Sequence, residues 1–143
     1  MSISEKINDR LSWEEYALSL AKTASERSED PYQKVGACAL NERHMVLALG
    51  YNGLAPGKDV QRDFWNDRDR RRTYMIHAEA NCLSLCKGGG VSLLASTLLP
   101  CSYCATMIAA YGVKKVVYGE EYHRDTLAKS IFDFYNIELT KIG

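Results

Sequence analysis

Two short stretches carry residue types that could do chemistry together. The first is "MIHAEANCL", Met75 to Leu83, in which only Ala78 separates His77 from Glu79. The second is "PCSYC", Pro100 to Cys104, a Cys-x-x-Cys directly after a proline. Alone, each has an ordinary reading. His-x-Glu is by default a polar pair on a helix surface, and Cys-x-x-Cys is a redox pair or half of a structural zinc site. Jointly they offer more. A Cys-x-x-Cys at a helix start can place two thiolates on one metal, and the helix N-terminus favours thiolate through its dipole and free N–H groups. If His77 begins the preceding helix, both helix starts face one point, and His77, Cys101 and Cys104 surround one Zn2+ with a fourth position open. Three protein ligands and an open position is the catalytic zinc pattern, in which bound water becomes acidic near neutral pH. Glu79 stays close to that metal, outside its coordination shell, where it can carry protons. A redox pair of the thioredoxin kind would have Trp, not Pro100, before Cys101. A closed structural site needs a fourth ligand, and His44 and His123 are the only other histidines.

The remaining elements must bring these helix starts together. "SWEEYALSLAKTASERS" reads as a helix capped by Ser12, with Trp13, Tyr16, Ala17, Leu20 and Ala21 at helical spacing. "EDP" ends it, because Pro31 disfavours helix in the residue before it. "VGACALN" and "MVLALGYN" read as a hairpin of two strands whose near-continuous apolar character predicts cover on both faces. "GYNGLAPGKD" is a loop. "VQRDFWNDRDRRRTY" carries five arginines and reads as a solvated, mobile excursion. "HAEANCLSLCKGGG" is a helix ended by glycines beyond Lys87, and "SLLASTLLP" a strand. "CSYCATMIAAYG" is a helix ended by Gly112, followed by the strand "KKVVYGE". "RDTLAKSIFDFYN" is a last helix and "IELTKI" a final strand. The order predicts one α/β domain over residues 1–143, a three-layer α/β/α sandwich on a mixed sheet of about five strands, with parallel pairing late in the chain.

The bulk numbers narrow the partners. Eighteen basic and 18 acidic side chains give zero net charge, hence no general pull toward nucleic acid or membrane. No apolar run approaches the roughly 20 residues of a membrane helix. The start, "MSISEKINDRLSWEEY", has no signal-peptide core, so a soluble, cytoplasmic protein is expected. Five cysteines argue against a closed disulfide set. Cys38, Cys82 and Cys86 read as packing.

His-x-Glu followed by Pro-Cys-x-x-Cys is the signature of zinc-dependent base deaminases. Over nearly its whole length the chain resembles the deoxycytidylate (dCMP) deaminase family. "RSEDPYQKVGACAL" is similar to that family's opening, "GYNGLAPG" to its Gly-Tyr-Asn-Gly loop with one extra residue before the proline, and "EEYHRD" to its Tyr-His-Asp stretch. The resemblance implies a cytidine deaminase-like fold and hydrolysis of dCMP to dUMP and ammonia. It implies zinc on His77, Cys101 and Cys104, with Glu79 as proton shuttle. It places Asn52 on the sugar, Arg27 and Ser28 on the 5′-phosphate, and Ala78 and Tyr122 against the substrate. It also implies a homo-oligomer, a hexamer, controlled by dCTP and dTTP at a site involving Gly50, Asn52, Gly53, Arg70, Arg71 and Arg72. The insertion "KDVQRDFWNDRDRRR" has no cysteine or histidine, with Lys58 where relatives can carry a cysteine, so one zinc per chain is expected. Deamination of another base (dCTP, cytidine, a tRNA adenosine) and a non-catalytic zinc-binding subunit stay open as alternatives.

Overall fold

A computed structural model describes residues 9–143. Residues 1–8, which begin the N-terminal stretch read above for a signal peptide, lie outside the described residues.

The elements form for local chemical reasons. Helix α1 (Trp13–Ser25) starts on a full capping box: Ser12 Oγ accepts from Glu15 N–H, and Glu15 accepts in return from Ser12 N–H. Strands β1 (Gly36–Leu40) and β2 (Val46–Tyr51) pair antiparallel, with a bulge at Ala39/Leu40. A 3-10 turn (Arg62–Asn66) and helix α2 (Arg68–Tyr74) come next. Then come α3 (Ala78–Leu83), β3 (Leu93–Leu98), α4 (Ser102–Ala110), β4 (Lys115–Glu120), α5 (Ala128–Phe134) and β5 (Glu138–Lys141). Gly112, at φ 77°, stops α4 in the left-handed region that other residues avoid.

The strands form one sheet in the order β2-β1-β3-β4-β5. β1 is antiparallel to both neighbours, while β3–β4 and β4–β5 run parallel. Helix α1 covers one face through Ala17, Leu18 and Ala21 on Cys38, Leu40 and Val117. The opposite face packs Ala78, Cys82, Ala105, Ile108 and Phe132 on Ala37, Ala39, Leu94 and Val116. This is the three-layer arrangement expected from the order of elements. Two glycines make the layers possible. A Cβ on Gly36 would lie 1.8 Å from the Ala21 carbonyl oxygen, and one on Gly50 would lie 2.5 Å from Cys82 N and 2.6 Å from Ala78 O. No helix among the described residues is long and apolar enough to cross a membrane.

Three expectations change. Strand β2 is a sheet edge, not a strand covered on both faces: Ala48 and Gly50 are buried, whereas Val46, Leu47 and Leu49 are exposed. Helix α3 ends at Leu83 rather than Lys87; Leu85 and Cys86 N–H turn back to Cys82 and Leu83 carbonyls in tighter three-residue steps. The arginine-rich insertion, though largely exposed, takes regular structure. Phe64 buries itself, Asp67 caps α2 by accepting from Arg70 N–H, and Arg70 lies over the Phe64 ring at 5.2 Å.

Candidate active site

His77 and Cys101 are the N-cap residues of α3 and α4, both with extended backbone. Just before His77, Ile76 and Gly53 exchange backbone hydrogen bonds of 2.7 and 3.1 Å, and Asn81 Nδ2 donates to Tyr51 O at 2.7 Å. These bonds fasten the start of α3 to the end of β2. On the other side, β3 runs out through Leu98, and the buried Leu99 and Pro100 lead directly into Cys101. The two helix starts therefore meet.

His77 Nδ1 lies 3.2 Å from Cys104 Sγ and 3.6 Å from Cys101 Sγ. All three donor atoms lie within 4.8 Å of one another, the single such cluster among the described residues. The fit to zinc is good. Tetrahedral bonds of about 2.0–2.3 Å put neighbouring ligand atoms about 3.5–3.8 Å apart, and one imidazole with two thiols is a borderline-soft donor set of the kind zinc prefers. The Cys104 thiol, and after it His77, hydrogen-bond to Cys101 and pull its thiol well down, while Cys104 is pushed up. His77 is raised, chiefly by its bond to Cys101. The other three thiols are elsewhere. Cys38 and Cys82 are buried, and burial pushes Cys38 up to about 11, as befits packing residues.

Glu79 is 3% exposed. Burial raises its carboxyl, opposed by hydrogen bonds from Cys104 and Ser96. Ser96, fully buried on β3, has its Oγ 2.9 Å from Glu79 Oε1 and 2.8 Å from Leu98 O. A hydroxyl has one hydrogen and cannot give it to both. When Glu79 is charged, Ser96 donates to it; when Glu79 is protonated, Glu79 donates to Ser96, and Ser96 donates to Leu98 O. The pair accommodates either state of a proton carrier. Nothing in "SLLASTLLP" marks Ser96 as more than a small residue in an apolar strand. Asp125, between β4 and α5 and the last residue of the "EEYHRD" stretch, has a role that its motif does not state: its carboxylate accepts from Ser102 N–H at the start of α4 and from Leu127 N–H. Those bonds, Ser102's first, hold it below the usual carboxylate range.

The remaining predicted residues each have surroundings of their own. Asn52 Oδ1 accepts from Val35 N–H and its Nδ2 donates to Gln33 O, both at 2.9 Å, so the side chain braces the 33–35 segment and keeps one N–H free. Buried Ser28 donates its only hydroxyl hydrogen to Asn52 O at 2.9 Å and accepts from Asp30 N–H. Arg27 is exposed just beyond α1. Ala78 is buried as the first residue of α3. Tyr122 lines a cavity of about 190 Å³ with Leu99, Glu121, His123, Asp125, Thr126 and Lys129. The residues expected at an effector site have separate surroundings. Gly50 lies under α3, while Gly53 has open space where a Cβ would be. Arg71 stacks 4.2 Å over Tyr32 and pairs with buried Asp30 at 3.5 Å, Arg70 sits on Phe64, and Arg72 is exposed.

Residues 11–120 match the model of the cytidine and deoxycytidylate deaminase zinc-binding region. The chain belongs to that family. The family binds zinc, and His77, Cys101 and Cys104 form the cluster that fits it. Deoxycytidylate deaminase of Pongo abelii is 32% identical over 96% of this chain and 83% of its own. The dCMP deaminase of cyanophage S-TIM5 in apo form superposes with a TM-score of 0.74 at 27% identity, covering 99% of this chain and 100% of that one. The same phage enzyme in complex with dCMP and dUMP gives 0.69 at 26% identity over 99% of both chains.

Proposed function

We propose that this protein hydrolyses dCMP to dUMP and ammonia, supplying dUMP for thymidylate synthesis. The likeness to deoxycytidylate deaminases over 96% of the chain carries this reading, together with a buried carboxylate beside the three zinc ligands. Glu79 is what a purely structural metal would not need. His77, Cys101 and Cys104 would hold the zinc, which when bound would supply a Lewis acid that brings the pKa of a water toward neutrality. Glu79 takes one proton from the attacking water and delivers it to the cytosine ring nitrogen, then takes the second from the hydroxyl now on the ring carbon and gives it to the amine, which leaves as ammonia while the carbonyl forms. Ser96 follows it through both charge states. The free N–H of Asn52 faces a sugar hydroxyl, Ala78 and Tyr122 border the base, and Arg27 supplies charge to the 5′-phosphate while Ser28 holds Asn52 from behind. Assembly into a hexamer, control by dCTP and dTTP through the Gly50–Gly53 loop and the arginine helix, and a cytoplasmic location belong to the same reading.

Ammonia release from dCMP, set against dCTP, cytidine and an adenosine-bearing tRNA stem-loop, tests it. Turnover of dCMP above the others, lost on stripping about one zinc per chain and restored by zinc, is expected. Preference for another base or nucleotide would reassign the substrate. No turnover of any of the four by zinc-loaded protein would favour the non-catalytic alternative.

A further inference from the structure

Asp125 comes from a loop 23 positions after the helix start it touches. Its Oδ2 accepts from Ser102 N–H at 2.5 Å, and its Oδ1 accepts from Leu127 N–H at 3.0 Å. Ser102 is the first residue of α4, and its N–H belongs to the peptide plane that joins it to Cys101. The orientation of that plane is the ψ angle of Cys101, here 170°. A turn of that plane swings the Cys101 side chain relative to Cys104, which the helix holds one turn on. The first N–H groups of a helix have no partner within it and otherwise turn to solvent. The Cys104 N–H is taken by Cys101 Sγ at 3.5 Å, so the thiol pair and the Ser102 peptide form one small unit with Asp125 as its outer brace.

We propose that Asp125 is a positioning residue for the zinc centre, acting through the Ser102 N–H to fix the angle at which Cys101 meets the metal. It also clips the 121–127 loop, which carries Tyr122, onto the helix that bears two of the ligands. Asp125 is itself no ligand. The inference goes beyond the proposed substrate and rests only on the zinc site, so its test does not require turnover.

The test uses zinc-loaded full-length protein and two single variants that break the same bond from opposite sides. Asp125→Ala removes the acceptor. Ser102→Pro removes the donor at little backbone cost, because proline suits the first helical position and the extended Cys101 is what proline demands of the residue before it. The readouts are the rate of zinc release to a chelator and the visible absorption of the cobalt-substituted protein. Outer partners of metal ligands are worth roughly ten- to a hundredfold in metal affinity. Each single variant is therefore expected to release zinc at least about tenfold faster and to shift the cobalt bands. The double variant should be no faster than the quicker single, since the one bond that Ser102→Pro removes is among the two that Asp125→Ala removes. Asp125→Asn, which keeps one acceptor oxygen, should fall between. Should Asp125→Ala fail to fold, Ser102→Pro carries the test alone. Parental zinc release in Ser102→Pro would overturn the proposal. So would multiplied effects in the double variant, or a lowered melting temperature with unchanged release and cobalt spectrum.

Discussion

Ser96→Ala isolates the hydroxyl behind the proton carrier. Ser96 is fully buried, and its hydroxyl bonds to Glu79 and to Leu98 O. Its Oγ stands 2.9 Å from Glu79 Oε1 and 2.8 Å from Leu98 O, with one hydrogen for the two acceptors. Alanine removes that hydrogen and leaves only an oxygen-sized gap. The charged state of Glu79 then loses a charge-assisted hydrogen bond, about 1.5–3 kcal/mol. The protonated state loses its acceptor, and Leu98 O loses its donor. If one such bond is missing in the transition state, kcat falls by roughly ten- to a hundredfold at 1.36 kcal/mol per factor of ten. KM for dCMP should hold within about twofold, because the lost interaction lies behind Glu79 and not against the nucleotide. Steady-state ammonia release, with zinc content measured on the same sample, reads both quantities. Ser96→Cys, a weak donor of similar size, should recover part of the loss. A kcat within about twofold of the parent at full zinc content would refute the coupling of Ser96 to Glu79. Loss of zinc in Ser96→Ala would show that the hydroxyl maintains the metal site instead.

Three further outcomes are expected. Glu79→Gln should retain zinc and nucleotide binding yet lose roughly a thousandfold in kcat, since proton carriage and not ligation is removed; metal analysis and single-turnover rates check it. Arg71→Ala should lower stability by about 1–3 kcal/mol by unpairing buried Asp30 and uncovering Tyr32, whereas exposed Arg72→Ala should stay within about 0.5 kcal/mol; urea melts compare them, and equal effects would mean that α2 is not docked through Arg71. Gly36→Ala should prevent normal folding, because the added Cβ would lie 1.8 Å from a backbone oxygen, while Gly53→Ala, with nothing within 4 Å, should be soluble and folded; circular dichroism of the two proteins decides.

What could be read from the chain was what is written locally. Ser12 ahead of apolar residues at helical spacing announces a helix start, Gly112 announces a helix end, and the alternation of strands and helices predicts parallel pairing from β3 onward, as found. The metal cluster was legible for a related reason: His77, Cys101 and Cys104 are each tied to the start of a helix, so position in an element stands in for position in space. Errors came where apolar or charged composition has two physical outcomes. "MVLALGYN" suits a central strand, but an edge strand with one open face has the same letters, and only the sheet order separates them. "NDRDRRR" suits a solvated loop, yet Asp67 placed three before Arg70 is a cap, and Phe64 just upstream supplies something to bury.

The residues that hold the site in tune were not legible, and the reason is distance along the chain. Ser96 meets Glu79 across 17 positions and Asp125 meets Ser102 across 23. Glu79 and Asp125 each sit in a stretch with a recognisable pattern, but neither pattern names the partner, because a hydrogen bond across the fold constrains geometry and not spacing. Ser28 and Asn52 show the same limit from the other direction. Their letters suggest groups offered to a ligand, but in the fold Ser28 gives its only hydrogen to Asn52 O, and Asn52 gives one amide hydrogen to Gln33 O. A polar side chain has a fixed number of donors, so whatever the scaffold takes is withdrawn from the substrate. After that subtraction, one Asn52 N–H and the exposed Arg27 are what Arg27, Ser28 and Asn52 have left to offer a nucleotide. A loss of dCMP affinity in Arg27→Ala with no change for unphosphorylated deoxycytidine would place the phosphate there; an equal loss for both would return Arg27 to the end of its helix.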